Sequence, residues 1–307
     1  MSSTPSKTVI IIAGPTAVGK TRIAIDVAKH FHTEIISADS RQCYKELNIG
    51  VARPSSSELQ EVPHHFIASH SIHDKVTAAT FEGYALEKAS TIFQKKDVVV
   101  IVGGTGLYIK ALLEGLDEIP AIHENIRRAI DDEYKLKNLE WLQKEVERVD
   151  PKYFQKGETQ NPRRLIRALE VFRTTGKSIV DFQKRSPVTR PFKIIKIALS
   201  LPKPLLHENI NKRVEQMIED GLVDEVKSLI SYKHLPALQT VGYKEVFEHL
   251  EGNATLNIAI ENIKKNTRQY AKRQITWFKK DLEFQWFIPD SEAVIEYINS
   301  LDLKPNG

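Results

Sequence analysis

The chain has 307 residues, of which 41% are hydrophobic and 27% are charged, and its net charge at neutral pH is +4. These values are typical of a globular protein of one or two domains, and they exclude an intrinsically disordered chain. No apolar run approaches the roughly 20 residues that span a bilayer, so we expect no membrane partner.

Two features of the sequence predict a cytoplasmic location. The first twelve residues lack an apolar core set apart from a cleavage site, and their apolar run leads directly into a glycine-rich loop. Cys43 is the single cysteine, which excludes an internal disulfide and suits a reducing compartment. We expect Cys43 to be a small packed residue rather than a reactive thiol.

The hydrophobic pattern predicts strands that alternate with helices along most of the chain. The segment Val98–Val102 is apolar without alternation, as in a parallel strand that is buried on both faces. The predicted strands are 8–13, 33–39, 98–102, 192–199 and 283–288. The predicted helices are 21–31, 77–94 and 206–230. This order indicates a doubly wound parallel sheet.

The block 117–191 interrupts the alternation. It contains two helical patterns, 123–149 and 161–176, and no convincing strand. We therefore predict an α/β fold, in which a P-loop-type parallel sheet flanked by helices forms a catalytic core from 1–116 and 192–307. An all-helical subdomain is inserted into that core at 117–191.

Positive charge is concentrated in two segments. Residues 151–190 contain ten Lys and Arg against three Asp and Glu, and residues 264–280 contain seven Lys and Arg and no acid. Such concentration indicates an anionic polymer as partner. Either segment alone could equally be a solvated helix face.

The first loop carries a phosphate-binding motif. "GPTAVGKT" matches G-x-x-x-x-G-K-[ST], with a predicted strand before it and a helix after it. The glycines let backbone N–H groups point inward, the helix N-terminus favours anions, and Lys20 adds a charge. Thr21 offers a hydroxyl to Mg²⁺. The predicted phosphate site comprises Gly14, Pro15, Thr16, Ala17, Val18, Gly19, Lys20 and Thr21.

The acid that a P-loop NTPase places at the end of a second strand is displaced here. Val98–Val102 is followed by glycines and Thr105, whereas the acid, Asp39, follows the preceding strand. Because both strand ends face one crevice, we expect Asp39 and Thr105 to converge on the group that Lys20 holds. Asp39 alone could also be a turn residue.

Six motifs in order resemble the tRNA dimethylallyltransferases, also called tRNA isopentenyltransferases. They extend from about Gly14 to Phe278, nearly the whole chain, and the sequence lacks the zinc-finger extension of eukaryotic members. The resemblance is therefore to the bacterial type. The motifs are "GPTAVGKT", "ISADSRQCYKELNIGVARP", "VGGTGLY", "NPRRLIRALEV", "TVGYKEV" and "RQYAKRQITWF".

The resemblance implies transfer of a dimethylallyl group from dimethylallyl diphosphate to N6 of the adenine immediately 3′ of the tRNA anticodon, with release of diphosphate. The loop would then hold an isoprenoid diphosphate, with Mg²⁺ as cofactor on Thr21. Asp39 matches the general base, Thr105 a hydroxyl at the target base, and Arg213 a cation on the diphosphate. Members often carry a second arginine where this chain has Asn209.

The implied partner is the tRNA anticodon stem-loop, bound by a monomer. The target base must leave its stack to be modified. Lys264, Arg268 and Lys272 share a helix face, and the neighbouring aromatic residues are interpreted as core. The helical insertion would form a second wall around the stem. Predicted tRNA contacts are Asp39, Ser40, Arg41, Gln42, Thr105, Arg163, Arg164, Leu165, Ile166, Arg167, Gln239, Gly242, Lys244, Arg268, Lys272 and Arg273.

Two alternatives stay open at this point. The first is a P-loop kinase of a small metabolite. The absence of an acid after the strand Val98–Val102 and the presence of two basic segments argue against it. The second is a non-catalytic RNA-binding or regulatory NTPase module, which would not need Asp39 and Thr105 to converge. The adjacent His64 and His65 lack a third ligand at zinc-binding spacing, so a zinc site is not expected.

Overall fold

A six-stranded parallel sheet forms the centre of the larger of two compact units. The computed structural model describes residues 7–183 and 188–303. The larger unit comprises Met1–Leu113 and Thr189–Gly307, and the smaller comprises Glu114–Val188. The predicted fold class, a parallel α/β sheet with an all-helical insertion, is confirmed.

The strand order is β3-β2-β4-β1-β5-β6, and all the pairings between these strands are parallel. Their carboxyl ends therefore meet at one edge of the sheet. In register, Ala13 lies opposite Gly103 on one side and Ala198 on the other. The strands are β1 Thr8–Ala13, β2 Ile35–Ser37, β3 His64–His65, β4 Val98–Gly103, β5 Lys193–Leu199 and β6 Gln285–Phe287.

Helices cover both faces of this sheet. Along β1, Val9 and Ile11 belong to one buried cluster, and Ile10 and Ile12 belong to the other. Because side chains alternate along a strand, a continuous apolar run is the sequence of a strand with two buried faces. The helices of this unit are α1 Lys20–His30, α2 Ser56–Glu61, α3 Ala78–Phe93, α4 Gly106–Glu114, α8 Lys203–Glu219, α9 Leu222–Ser228, α10 Tyr243–Leu250, α11 Leu256–Phe278 and α12 Ser291–Ser300.

The helical unit has its own core. Its described helices are α5 Glu124–Val149, α6 Pro151–Lys156 and α7 Pro162–Thr175. Ile130, Leu142 and Leu169 are fully buried and belong to one cluster. Within residues 7–183 and 188–303, none of the helices combines the length and the hydrophobicity of a membrane-spanning segment.

Two predicted helices are interrupted. The predicted helix 206–230 is wrong as a single element, because Gly221 has φ 100° and separates α8 from α9. The predicted helix 123–149 has a break at Asn138, whose φ is 68°. The Asn138 side chain accepts a hydrogen bond from Glu140 N at 2.9 Å, which caps the second half.

Gly103 gives a stability prediction at the end of β4. A Cβ atom there would lie 2.2 Å from the Ala38 carbonyl oxygen, so Gly103→Ala must displace backbone. We expect urea titration to show a loss of about 1–3 kcal/mol of unfolding free energy. Gly83→Ala is the control, because it lies in α3 with nothing within 4 Å and should stabilise by about 0.5–1 kcal/mol. Equal effects of the two substitutions would contradict the packing argument.

Candidate active site

The phosphate loop turns at two glycines immediately after β1. Gly14 has φ 145° and Gly19 has φ 98°, and Gly19 is the residue that precedes α1. A Cβ atom on Gly14 would lie 2.7 Å from the Leu199 carbonyl oxygen of β5. The loop is therefore seated against the sheet, with the first amides of α1 directed toward its centre.

Lys20 lies inside this loop. Its Nζ donates to the Pro15 carbonyl at 2.6 Å. Burial, and after it the charge of Arg213, lower the pKa of Lys20 to about 7, and the charge of Asp39 partly opposes this shift. A phosphate in the loop would oppose both lowering causes, since it favours the charged amine.

Polar contacts from two helices hold the loop. Gln274 of α11 accepts from Thr16 N at 2.9 Å and donates to the Gly104 carbonyl at 3.0 Å. On α8, Arg213 donates to the Thr16 hydroxyl at 3.2 Å, and Asn209 donates to the Ala17 carbonyl at 3.3 Å. Gln274 was not predicted; the sequence shows it only as a polar residue inside a helical motif.

Asp39 follows β2 and faces the same edge. Its Oδ1 accepts from Arg41 N at 2.8 Å and Gln42 N at 3.3 Å. No described residue donates a hydrogen bond to Oδ2. The turn interpretation and the active-site interpretation are thus compatible, because one oxygen shapes the turn and the other is available to a ligand.

Thr105 approaches Asp39 through Ser40. The Thr105 hydroxyl oxygen accepts from Ser40 N at 3.1 Å, and Thr105 N donates to the Ala38 carbonyl at 3.2 Å. The hydroxyl of Tyr270 interacts with Thr105. Burial of this hydroxyl, together with the charge of Asp39, raises the pKa of Tyr270 to about 12, whereas the residue as a whole stays exposed. The ends of β2 and β4 therefore do bring Asp39 and Thr105 together.

The loop after β2 is fixed by a carboxylate on α9. Glu225 accepts from the backbone N–H groups of Asn48 at 3.1 Å, Ile49 at 2.7 Å and Gly50 at 3.0 Å. The hydroxyl of Tyr243 donates to the same carboxylate. A Cβ atom on Gly50 would lie 2.5 Å from the Tyr243 ring, so this loop is closely packed.

Two cavities meet at this site. The P-loop cavity, of about 340 Å³, is lined by Gly19, Lys20, Thr21, Arg53, His64 and Gln274 among others. The outer cavity is lined by Ser40, Arg41, Thr240, Val241, Gly242 and Thr267 among others. Six residues line both: Thr16, Asp39, Val51, Ala52, Arg213 and Tyr270. Asp39 thus stands where a phosphate ligand and a second ligand would meet.

The oxygen donors of the P-loop cavity fit Mg²⁺ that is shared with a substrate. Thr21, Asp39 and Glu58 line it. Mg²⁺ usually takes one or two protein ligands and completes its shell with water and phosphate oxygens. The described residues contain no group of three or more His, Cys, Asp or Glu that could hold a metal by themselves.

The predicted RNA contacts differ in exposure. Arg268 donates to Asn211 at 2.7 Å, and Gly242 is buried with φ 97°. Lys264 pairs with Glu215 and Glu261, so it does not present a free charge beside Arg268. The exposed members are Arg163, Arg164, Gln239, Lys244, Lys272 and Arg273.

Part of the prediction for α7 is wrong. The side chain of Leu165 is fully buried in the core of the helical unit and cannot contact RNA, and Ile166 packs partly against that core. Arg164 pairs with Glu158 at 2.7 Å, and Arg167 pairs with Glu170 at 3.0 Å. Two basic residues of the positively charged segment 151–190, Lys184 and Arg185, lie outside the described residues.

The aromatic residues of α11 divide between core and surface. Phe278 is 1% exposed, as a core residue should be. Tyr270 and Trp277 are 36% and 38% exposed, so the core interpretation is wrong for them. Cys43 is fully buried, which confirms a packed residue, and burial raises the pKa of its thiol to about 12.

Comparisons of the sequence with known proteins all identify one family. Residues 42–281 match the family model of the IPP transferases. The chain is 47% identical over 297 residues to a tRNA dimethylallyltransferase of Christiangramia forsetii, covering 96% of this chain and 98% of the relative. It is 43% identical to tRNA dimethylallyltransferase 1 of Bacteroides thetaiotaomicron, covering 96% of each.

Solved structures agree. A tRNA isopentenylpyrophosphate transferase of Bacillus halodurans matches with a TM-score of 0.70 and 34% identity, covering 96% of this chain and 95% of that one. A eukaryotic dimethylallyltransferase acting on tRNA matches with a TM-score of 0.77 and 26% identity, covering 98% of this chain and 81% of that one. The chain therefore belongs to the IPP transferase family, the tRNA dimethylallyltransferases.

Proposed function

We propose that this enzyme transfers a dimethylallyl group from dimethylallyl diphosphate to N6 of the adenine immediately 3′ of the anticodon, and releases diphosphate. One observation carries the proposal. A cation-lined P-loop cavity and a second cavity share Asp39 and Arg213 at their junction. A transfer between two substrates needs such a junction, because the two reacting groups must approach within about 3–3.5 Å.

The P-loop cavity suits the leaving group. Diphosphate accumulates negative charge as the allylic C–O bond breaks, and prearranged donors stabilise that charge. Lys20, Arg213 and the loop amides supply those donors. Mg²⁺, held by Thr21 together with the diphosphate, would add further charge stabilisation.

Asp39 suits the acceptor. The lone pair of an exocyclic adenine amine is delocalised into the ring, so a base against its N–H assists formation of the C–N bond. The Asp39 carboxylate is oriented by two backbone N–H groups through Oδ1, which leaves Oδ2 for the amine. The adenine would enter the outer cavity after leaving its stack, beside Thr105 and the 40–42 segment.

The RNA is held by exposed basic side chains. We propose that Lys272 and Arg273 on α11, and Arg163 and Arg164 on the helical unit, contact tRNA phosphates. We further propose that the enzyme acts as a monomer in the cytoplasm. The single buried cysteine supports a reducing compartment.

The salt dependence of binding tests the RNA surface. We expect Lys272→Ala to weaken tRNA binding and to reduce the slope of log Kd against log salt by about 0.7–0.9. Lys95→Ala is the control, since Lys95 is exposed near the amino end of β4, at the opposite edge of the sheet. If both variants keep the wild-type slope in filter binding, Lys272 is not a phosphate contact.

Product mapping tests the reaction. Unmodified tRNA is incubated with enzyme, Mg²⁺ and dimethylallyl diphosphate, digested to nucleosides and fragments, and analysed by mass spectrometry. We expect a dimethylallyl mass on the adenosine immediately 3′ of the anticodon. Modification of any other nucleoside, or none, would overturn the proposed function.

A further inference from the structure

The charges of Glu225 and Glu46 act on the Arg53 guanidinium only from beyond ion-pair distance. Its Nη2 donates to the carbonyls of Tyr44 at 2.8 Å, Lys45 at 3.0 Å and Leu47. Its Nε is buried and has no hydrogen-bond partner among the described residues. No Asp or Glu among the described residues lies within ion-pair distance of Arg53. By contrast, Arg22, which lines the same cavity, pairs with Asp26 and Glu61.

An arrangement of this kind is unfavourable in the absence of a ligand. Partial burial lowers the pKa of Arg53, and the charges of Glu225 and Glu46 partly oppose this shift. Buried donors without partners are rare in proteins, and each one calls for a physical explanation. A structural role explains the contacts of Nη2, because this nitrogen holds three backbone carbonyls of the loop that follows β2. It does not explain the positive charge at the cavity, because a neutral amide could donate to the same carbonyls.

Arg53 lines the P-loop cavity together with Lys20 and Arg213. It also lines an adjoining groove with Arg213, Ser55 and Gln216, so the two arginines lie at the boundary between cavity and groove. Helix α8 contributes one positive charge to this site, that of Arg213. Asn209 of the same helix, which also contacts the loop, is neutral. A cation from another element is therefore the natural complement to a polyanion here.

We propose that Arg53 is a binding residue for the diphosphate, with the part of its guanidinium that lines the cavity donating to one of the diphosphate oxygens. This inference rests on the proposed function, because it takes the ligand of the P-loop cavity to be a diphosphate. A guanidinium is suited to the role since it stays charged when buried and presents several donors to phosphate. The backbone carbonyls that hold Nη2 would orient the group in advance.

The test compares Arg53→Gln and Arg53→Lys with the wild type. Glutamine keeps an N–H₂ donor for the backbone carbonyls and removes the charge, whereas lysine keeps the charge and removes the guanidinium. Binding of inorganic diphosphate with Mg²⁺ is measured by isothermal titration calorimetry, and the KM values for dimethylallyl diphosphate and tRNA are measured separately. We expect Arg53→Gln to weaken diphosphate binding about 10- to 100-fold and to raise the first KM alone.

The outcomes separate the inference from the function on which it rests. A Gln variant that binds diphosphate as tightly as the wild type, or that loses tRNA affinity equally, overturns the role of Arg53. If the Gln variant shows no cooperative unfolding transition, and so is not natively folded, the Arg53→Lys variant is used instead. Severalfold weaker diphosphate binding by this variant at wild-type Tm supports the inference. Unchanged binding overturns it. A wild-type enzyme that binds no diphosphate would contradict the proposed function itself.

Discussion

Replacing Asp39 by Asn is expected to lower kcat for dimethylallyl transfer by about 10²–10⁴-fold, with tRNA affinity within about twofold of wild type. The amide keeps an oxygen that can accept from Arg41 N and Gln42 N, so the turn should persist. It cannot take a proton from the adenine amine. The loss should therefore fall on the chemical step rather than on binding.

Single-turnover kinetics with saturating substrates measure that step, and filter binding measures tRNA affinity. Asp74→Asn is the matched control, because the Asp74 carboxylate also accepts a backbone N–H, from Ser71 at 2.8 Å, and does not line either cavity. Near-normal turnover in the Asp39 variant would refute its role as base. An equal loss in the Asp74 variant would point to an effect on folding.

Replacing Lys20 by Met is expected to lower kcat/KM for dimethylallyl diphosphate by about 10²–10³-fold. The methionine keeps most of the side-chain length and removes the charge that lies beside the Pro15 carbonyl in the loop. Diphosphate should also cease to raise the Tm of the variant. For the wild type, a ligand at 100 times its Kd adds about 2.7 kcal/mol to the unfolding free energy.

Kinetics and thermal unfolding with and without inorganic diphosphate measure both effects. Lys29→Met is the control, because Lys29 lies on the same helix, is exposed and pairs with Glu61. Its Tm should rise on addition of diphosphate as in the wild type. A Lys20 variant that diphosphate still stabilises fully would show that the loop is not the diphosphate site.

The sheet could be predicted because its signal is local. The apolar runs that became β1 and β4 have no alternation, and such runs suit strands buried on both faces. The helix boundaries at Gly221 and Asn138 were missed, since a single residue with positive φ barely alters an amphipathic pattern. The two-residue strand β3 has no pattern at all.

The site could be predicted in part for a related reason. The P-loop and Asp39 follow strands, so topology alone brings them to one edge. Gln274, Arg53 and Glu225 were not predicted, because their importance depends on contacts between distant segments; Gln274 and Thr16 are 258 positions apart. Leu165 was misassigned because the motif that contains it mixes surface arginines with core positions.

Membership of a prenyltransferase family contradicts both alternatives, the metabolite kinase and the non-catalytic module. Asp39 lies at the junction of two cavities, and Thr105 lies beside it through Ser40, which is the geometry that the catalytic interpretation required.

The central claim is that the loop holds an isoprenoid diphosphate rather than a nucleotide to be hydrolysed. The most direct measurement incubates purified enzyme with unmodified tRNA, Mg²⁺ and radiolabelled dimethylallyl diphosphate, beside a parallel reaction with ATP alone. We predict label in tRNA without any ATP, and no phosphate release from ATP. Unlabelled tRNA, together with phosphate released from ATP, would contradict the account.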